Sequence, residues 1–157
     1  MSERPLSLVS VVAPMLNEEG TARVFCERVS AALDGLPWEL VVVDDGSTDE
    51  TPTILAELAA SDERIKVITL SRNFGHQMAI TAGLDHASGD AVVMIDADLQ
   101  DPPELMPTMI EHWRAGSDVV YTMRTTREGE SRFKVVTARW FYGIMGWVSA
   151  VPLASNS

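Results

Sequence analysis

Cysteine is almost absent: Cys26 stands alone in a chain of 157 residues, so no disulfide framework holds the fold and a reducing cytosol suits it. Basic residues are scarce as well, 12 Lys and Arg against 23 Asp and Glu. The resulting net charge of −11 argues against a general nucleic-acid binder, which presents a basic patch or stripe to phosphates. Two phosphate-cradling glycine patterns, G-x-G-x-x-G and G-x-x-x-x-G-K-[ST], are missing, which removes the dinucleotide-fold and P-loop readings. Long apolar runs are missing too. Residues 6–16 are interrupted by Ser and Pro and lack a small-residue cleavage site, so they read as a first strand and not as a secretory signal. Residues 140–157 carry no charge, but Gly143, Gly146, Pro152 and several serines make them a poor spanning helix. No transmembrane segment is expected.

What is present is unevenly placed. Residues 1–118 carry a net charge of −14 and residues 119–157 a net +3. An acidic body therefore runs into a basic tail suited to phosphates or an anionic membrane surface. In that tail Arg132, Lys134 and Arg139 alternate with Phe133, Trp140, Phe141, Tyr142 and Trp147. Residues 131–148 read either as a helix laying its aromatic side on a sheet or as an interfacial membrane helix.

Short β-branched runs alternate with longer helical patterns, the mark of a mostly parallel sheet with helices on its faces. Strands are expected over residues 8–13, 39–43, 66–70, 91–95 and 118–121. Runs such as VVV and AVVMI are nearly continuous in apolar residues, as strands covered on both faces require. Helices are expected over residues 21–36, 51–60, 76–87 and 102–115. The last has a written start: Asp101 as cap, Pro102 in the first turn and Glu104 to complete a capping box. Length and composition fit one domain, residues 1–157, with a core over 8–123 and a tail over 124–157.

In an open α/β sheet, ligands collect beyond the carboxyl ends of the strands. Here those places are acidic. The first strand runs into Pro14-Met15-Leu16-Asn17-Glu18-Glu19, the second into Asp44-Asp45-Gly46-Ser47, and the fourth into Asp96-Ala97-Asp98-Leu99-Gln100-Asp101. So many carboxylates cannot share one crevice unless they are spread apart, protonated or offset by a cation. Mg²⁺ or Mn²⁺ is the economical answer, because either prefers oxygen ligands and takes one or two carboxylates while substrate phosphates supply the rest. Asp98 is the expected direct ligand, with Asp96 on the ribose or the metal's surroundings. An Asp-x-Asp triplet alone carries little, since acidic loop residues usually cap helices or face water; the position after AVVMI and the two neighbouring acidic turns carry the reading.

The segments VSVVAPMLNEEG, ELVVVDDGSTDET, ITLSRNFGHQMAITAGLDHASGD and VVMIDADLQDPPE, in this order, resemble glycosyltransferase family 2, and within it the polyprenyl-phosphate branch that includes dolichyl-phosphate mannosyltransferase and bactoprenol glucosyltransferase. The resemblance spans residues 8–142. It implies a GT-A-type fold, a Rossmann-like and mostly parallel sheet flanked by helices. Pro14, Leu16, Asn17 and Glu18 then match the nucleotide-binding first loop, and Asp44 the carboxylate that helps hold the base, with Asp45 beside it. Asp96, Asp98 and Gln100 match the motif for the metal and the sugar diphosphate, and Arg124 an arginine near the phosphates. Gly75 and His76 belong to a loop that shapes the sugar-nucleotide pocket. His76 is read as a capping or hydrogen-bonding residue and not as a general base, and His86 and His112 as surface residues.

The implied reaction transfers a hexose from a nucleotide diphosphate sugar to a polyprenyl phosphate with inversion, with Asp98 and Arg124 as its catalytic residues. The implied setting is the cytoplasmic face of a membrane, with peripheral contact through the basic aromatic tail. Similar enzymes continue with an acceptor-loop motif resembling GDFRL and with amphipathic or transmembrane helices. Neither is found in this sequence, so the C-terminal part is expected to be incomplete and sugar-nucleotide binding is expected more firmly than turnover. Three alternatives stand beside this reading: a saccharide or glycolipid acceptor, an inactive sugar-nucleotide-binding fragment, and a receiver-like signalling domain. The last needs a lysine after a late strand, where Thr122-Met123-Arg124 stands instead.

Overall fold

A computed structural model describes residues 3–123; Arg124 and the basic aromatic tail lie outside them. The elements follow in the order β1 (Val9–Met15), α1 (Ala22–Ala32), β2 (Trp38–Asp44), α2 (Thr51–Ser61), β3 (Ile65–Thr69), α3 (His76–His86), β4 (Ala91–Met94), a 3-10 turn (Pro103–Leu105) and α4 (Met106–Arg114). The four strands form one parallel sheet in the order β3-β2-β1-β4. This order places the chain reversal between β1 and β4, the position at which open α/β sheets form a crevice.

β1 and β2 are central, and every residue of β2 is buried. Val9, Val11, Ala13, Leu40 and Val42 meet Phe25 and Val29 of α1, Leu55 of α2 and Ile110 of α4 in one core. Each such fully buried Val, Leu or Phe contributes about 1.5–3 kcal/mol relative to exposure. On the other face α3 lies very close. A Cβ on Gly83 would stand 2.3 Å from Cγ1 of Val12, so only glycine allows this approach.

The same face carries a buried polar group. Ser10 Oγ donates to Glu39 Oε1 at 2.6 Å, the Ser88 N–H donates to the same oxygen at 2.8 Å, and Lys66 Nζ meets Oε2 at 2.5 Å. Ser10 Oγ in turn accepts the Gly89 N–H at 2.8 Å. Three strands and the turn after α3 are thereby joined, and Glu39 can be buried because each oxygen is satisfied.

Three expectations are corrected. Residues 118–121 are not a strand: Val119 and Tyr121 are exposed, and Asp118 is engaged by Arg4 at 2.6 Å. Apolar alternation marks a segment that fits a sheet, but a strand exists only where a neighbour completes its hydrogen bonds. The start of the last helix also differs. Pro102 stands at the N-cap of the 3-10 turn without a side-chain cap. Glu104 reaches Arg28 through two hydrogen bonds of 2.8 and 2.6 Å and closes no capping box. The guanidinium holds the Glu104 carboxyl down at about 2. The charged pair with an Arg of α1 wins because it is bidentate and charge-assisted, whereas a capping box would give the carboxylate one neutral donor. α1 is also shorter than expected, ending in a turn where Gly35 takes φ 79°.

Candidate functional site

The loops leaving β1, β2, β3 and β4 meet over the carboxyl ends of the strands. They enclose a cleft of about 330 Å³ whose lining includes Pro14, Leu16 and Glu18 after β1, Asp45 after β2, Asn73, Gly75 and His76 before and at the start of α3, and Asp96 and Asp98 after β4. Met15, Ala79 and Ala97 complete the floor. Asn73 stands in the same SRNFGHQ run as Gly75 and His76; that it and these apolar residues reach the lining follows from which loops face each other. A wider groove of about 520 Å³ between α1 and α2 lies away from the strand ends and exposes a different chemistry, with burial pushing its Cys26 thiol up to about 11.

The turn after β2 organises its neighbours. Asp44 Oδ1 accepts the Ser47 N–H at 2.9 Å, closing the turn on itself, and Gly46 sits at φ 75°. The Ser47 hydroxyl accepts the Asn17 N–H at 2.9 Å, Asn17 Oδ1 accepts the Thr48 N–H at 2.8 Å, and Thr51 Oγ1 accepts the Glu18 N–H at 2.8 Å. Glu19 and Asp49 accept the backbone N–H groups of Glu50 and Glu19 respectively. On the opposite side Asp45 accepts the N–H groups of Phe74 and Gly75 at 2.7 and 2.9 Å. Much of the acidity that the sequence gathers here is therefore satisfied by backbone donors.

Asp44 is 1% exposed and lies behind the cleft wall; its Oδ2 is buried without a partner among the described residues. Asn17 and Gln100 also stand outside the lining. Glu18 accepts a hydrogen bond from the Thr21 hydroxyl at the start of α1.

The two remaining carboxylates differ in kind. Asp96 is exposed, with its Oδ1 3.7 Å from Nε2 of His76 across the cleft. Asp98 is exposed as well, and its Oδ1 accepts the Gln100 N–H at 3.0 Å. Between Asp98 and Gln100 the chain passes through Leu99 at φ 62°, a left-handed conformation that a leucine adopts only under tertiary constraint. The Leu99 side chain packs on the core, which supplies that constraint. β4 ends at Met94, so Asp98 already stands in a turn, outside the alternation of a regular strand. Among the described residues no three His, Cys, Asp or Glu side chains converge as a metal cage. Asp96 and Asp98 instead offer an incomplete set of oxygen donors on one wall.

The parallel sheet with helices on its faces and its reversal between β1 and β4 is that of a GT-A-type glycosyltransferase fold. A mannosyltransferase from Pyrobaculum calidifontis shares it with a TM-score of 0.60 at 24% identity, over 74% of this chain and 37% of its own. The chain belongs to glycosyl transferase family 2, whose pattern matches residues 10–150. It is similar to the bactoprenol glucosyl transferase of Shigella phage SfV, 43% identical over 94% of this chain and 49% of that protein. It is also similar to the undecaprenyl-phosphate 4-deoxy-4-formamido-L-arabinose transferase of Pectobacterium carotovorum, 44% identical over 83% of this chain and 41% of that one. The chain thus spans just under half the length of these relatives. Among solved structures, glucosyl-3-phosphoglycerate synthase from Mycobacterium tuberculosis, in complex with Mn²⁺ and UDP, matches with a TM-score of 0.55 and 33% identity over 69% of this chain and 40% of its own.

Proposed function

We propose that this chain supplies the sugar-nucleotide site of an inverting hexosyltransferase, which takes a hexose from a nucleoside diphosphate sugar in the presence of a divalent cation and passes it to a polyprenyl phosphate. The observation that carries the reading is the cleft over the strand ends with the exposed pair Asp96 and Asp98 on one wall. The names of the relatives support the lipid-phosphate acceptor, and the UDP and Mn²⁺ bound by the mycobacterial enzyme support the donor and the cation.

The donor set suits Mg²⁺ or Mn²⁺. Among the described residues no third His, Cys, Asp or Glu joins the two carboxylates, which matches a cation that completes its shell with diphosphate oxygens. Asp98 and Asp96 would hold it, with Gln100 from the same turn. Such an ion supplies Lewis acidity toward the charge that develops on the departing nucleotide. The chain's own residues bind and orient. Pro14, Leu16, Asn17 and Glu18 form the nucleotide loop, and Asp44, buried outside the cleft lining, supports that loop from behind by accepting the Ser47 N–H rather than by offering an oxygen to the base. Gly75 and His76 form the facing wall, and Arg124 acts as a fork donor to phosphate oxygens. A lipid phosphate is ionised near neutral pH, so no strong general base is required. The enzyme then works at the cytoplasmic face of a membrane, with the basic tail of residues 124–157 in contact with the surface. Among the described residues no helix is long and apolar enough to cross one.

Calorimetry with uridine and guanosine diphosphate sugars, with and without Mn²⁺ or Mg²⁺, tests the donor side. Binding of one of them that requires the metal and weakens at least tenfold in Asp98→Ala is expected; no metal-dependent binding to any of them sinks the reading. For the acceptor, labelled sugar is expected in the lipid fraction. Its appearance in a water-soluble saccharide alone would transfer the assignment to a different acceptor.

A further inference from the structure

Beyond the half-buried Leu70, the segment between β3 and α3 has no buried apolar side chain. Residues 71–74 are all exposed, and so is His76. Phe74 stays 43% exposed and stacks outward against the Arg72 guanidinium, 4.0 Å from its ring centre. A loop of this kind samples many conformations unless hydrogen bonds hold it, yet it supplies Asn73, Gly75 and His76 to one wall of the cleft.

Asp45 holds it. The carboxylate is 3% exposed, and its two oxygens accept the N–H groups of consecutive residues, Phe74 and Gly75. Charge-assisted bonds of this kind are about twice as strong as neutral ones. Next to it, Gly46 lets the two loops touch: a Cβ there would lie 2.5 Å from the carbonyl carbon of Arg72 and 2.7 Å from the nitrogen of Asn73. Gly75, at φ 97°, then turns the chain into α3 with His76 directed toward Asp96. The first loop is tied to the same turn by other residues, Ser47 and Thr51, so the two walls have separate fastenings.

We propose that Asp45 is a positioning residue: it contributes to sugar-nucleotide binding by clamping the backbone at Phe74 and Gly75, which sets Asn73, Gly75 and His76 against Asp96, and not by contacting the ligand. This rests on the donor assignment above. The ligand sees the loop, and the loop sees Asp45.

Amide hydrogen exchange and calorimetry on the same variants test it. In Asp45→Ala, exchange at Phe74 and Gly75 is expected to accelerate at least tenfold, while the amides of Asn17 and Glu18 keep their rates. Affinity for whichever of UDP-glucose or GDP-mannose the unsubstituted protein binds with Mn²⁺ is expected to fall at least tenfold. Gly46→Ala, which leaves the carboxylate in place but forces the loops apart, is expected to reproduce both effects. Asp45→Asn, able to accept from one of the two N–H groups, is expected to fall between, and it serves if Asp45→Ala does not fold. Loss of affinity with unchanged exchange at Phe74 and Gly75 would make Asp45 a ligand contact and overturn the proposal. Faster exchange with unchanged affinity would overturn it too. If neither sugar nucleotide binds the unsubstituted protein, the donor assignment fails, and the exchange rates still decide whether Asp45 clamps the loop.

Discussion

Burial decides the chemistry of the one cysteine. Cys26 is 2% exposed on α1, and desolvation pushes its thiol up to about 11, so at neutral pH it is a packed thiol and not a nucleophile. In the folded protein it is expected to react with a thiol-specific reagent no faster than global or local unfolding exposes it; reaction within the mixing time in buffer, followed by absorbance, would contradict this. Glu39 shows the opposite balance. Burial works against its charge, but hydrogen bonds from Lys66, Ser10 and the Ser88 N–H outweigh it and hold the carboxyl below its ordinary 4.5. A group with a depressed folded-state pKa stabilises the fold fully above its unfolded value and loses that contribution as pH falls through the folded one. Glu39→Gln is therefore expected to cost about 1–3 kcal/mol at neutral pH. In urea titrations below about pH 4.5 the difference between the two proteins is expected to shrink as the native carboxyl takes up its proton. Neither Ser10 nor Glu39 stands out in the sequence, because their partnership depends on β1 and β2 lying side by side.

Among the elements, α3 is the one whose sequence and packing pull in opposite directions. Intrinsic propensity favours alanine over glycine within a helix by about 1 kcal/mol. At Gly83, however, the added methyl meets Cγ1 of Val12 at 2.3 Å and Cγ2 of Val43 at 3.1 Å. Overpacking of a strand against a helix costs about 1–3 kcal/mol, so Gly83→Ala is expected to lower stability in chemical denaturation; a rise would show that the helix can lift off the sheet without loss. The helical pattern of residues 76–87 was legible, and the need for glycine at 83 was not, since it comes from the distance between two layers. Strands β1 and β2 were legible for a simple reason: β-branched runs buried on both faces leave a nearly continuous apolar signature. The AVVMI run that marks β4 has the same signature, but the expectation that both its faces are covered is corrected, since Val92 and Met94 are exposed. The same signature at residues 118–121 misled, because Val119 and Tyr121 have the composition of a strand without a neighbour to pair with.

At the scale of the molecule, the acidity is divided between structure and ligand. Asp45, Asp49 and Glu19 satisfy backbone donors in other loops, while Asp96 and Asp98 remain exposed on one wall. Two carboxylates alone bind a divalent ion weakly, and under the proposed function the diphosphate completes its shell. Mn²⁺ alone is accordingly expected to raise the melting temperature little, and Mn²⁺ with its nucleotide substantially, since a ligand present at a hundred times its Kd adds about 2.7 kcal/mol. A chelator is expected to abolish the difference. Calorimetric melting that shows the full shift with nucleotide in chelator would remove the metal from the site.

The order of apolar runs and helical patterns determined the parallel α/β layering, and the acidic turns after three strands marked the candidate site, because both are local consequences of residue type and spacing. Which carboxylates are available to a ligand was decided by the tertiary structure alone. Asp44, Asp45, Asp96 and Asp98 look alike in the sequence. Only the meeting of loops from four strands puts Asp44 behind the wall, ties Asp45 to the backbone of Phe74 and Gly75, and leaves Asp96 and Asp98 facing outward. A carboxylate's role follows from the donors brought within about 3 Å of it, and those of Asp45 lie 29 and 30 residues away in the chain.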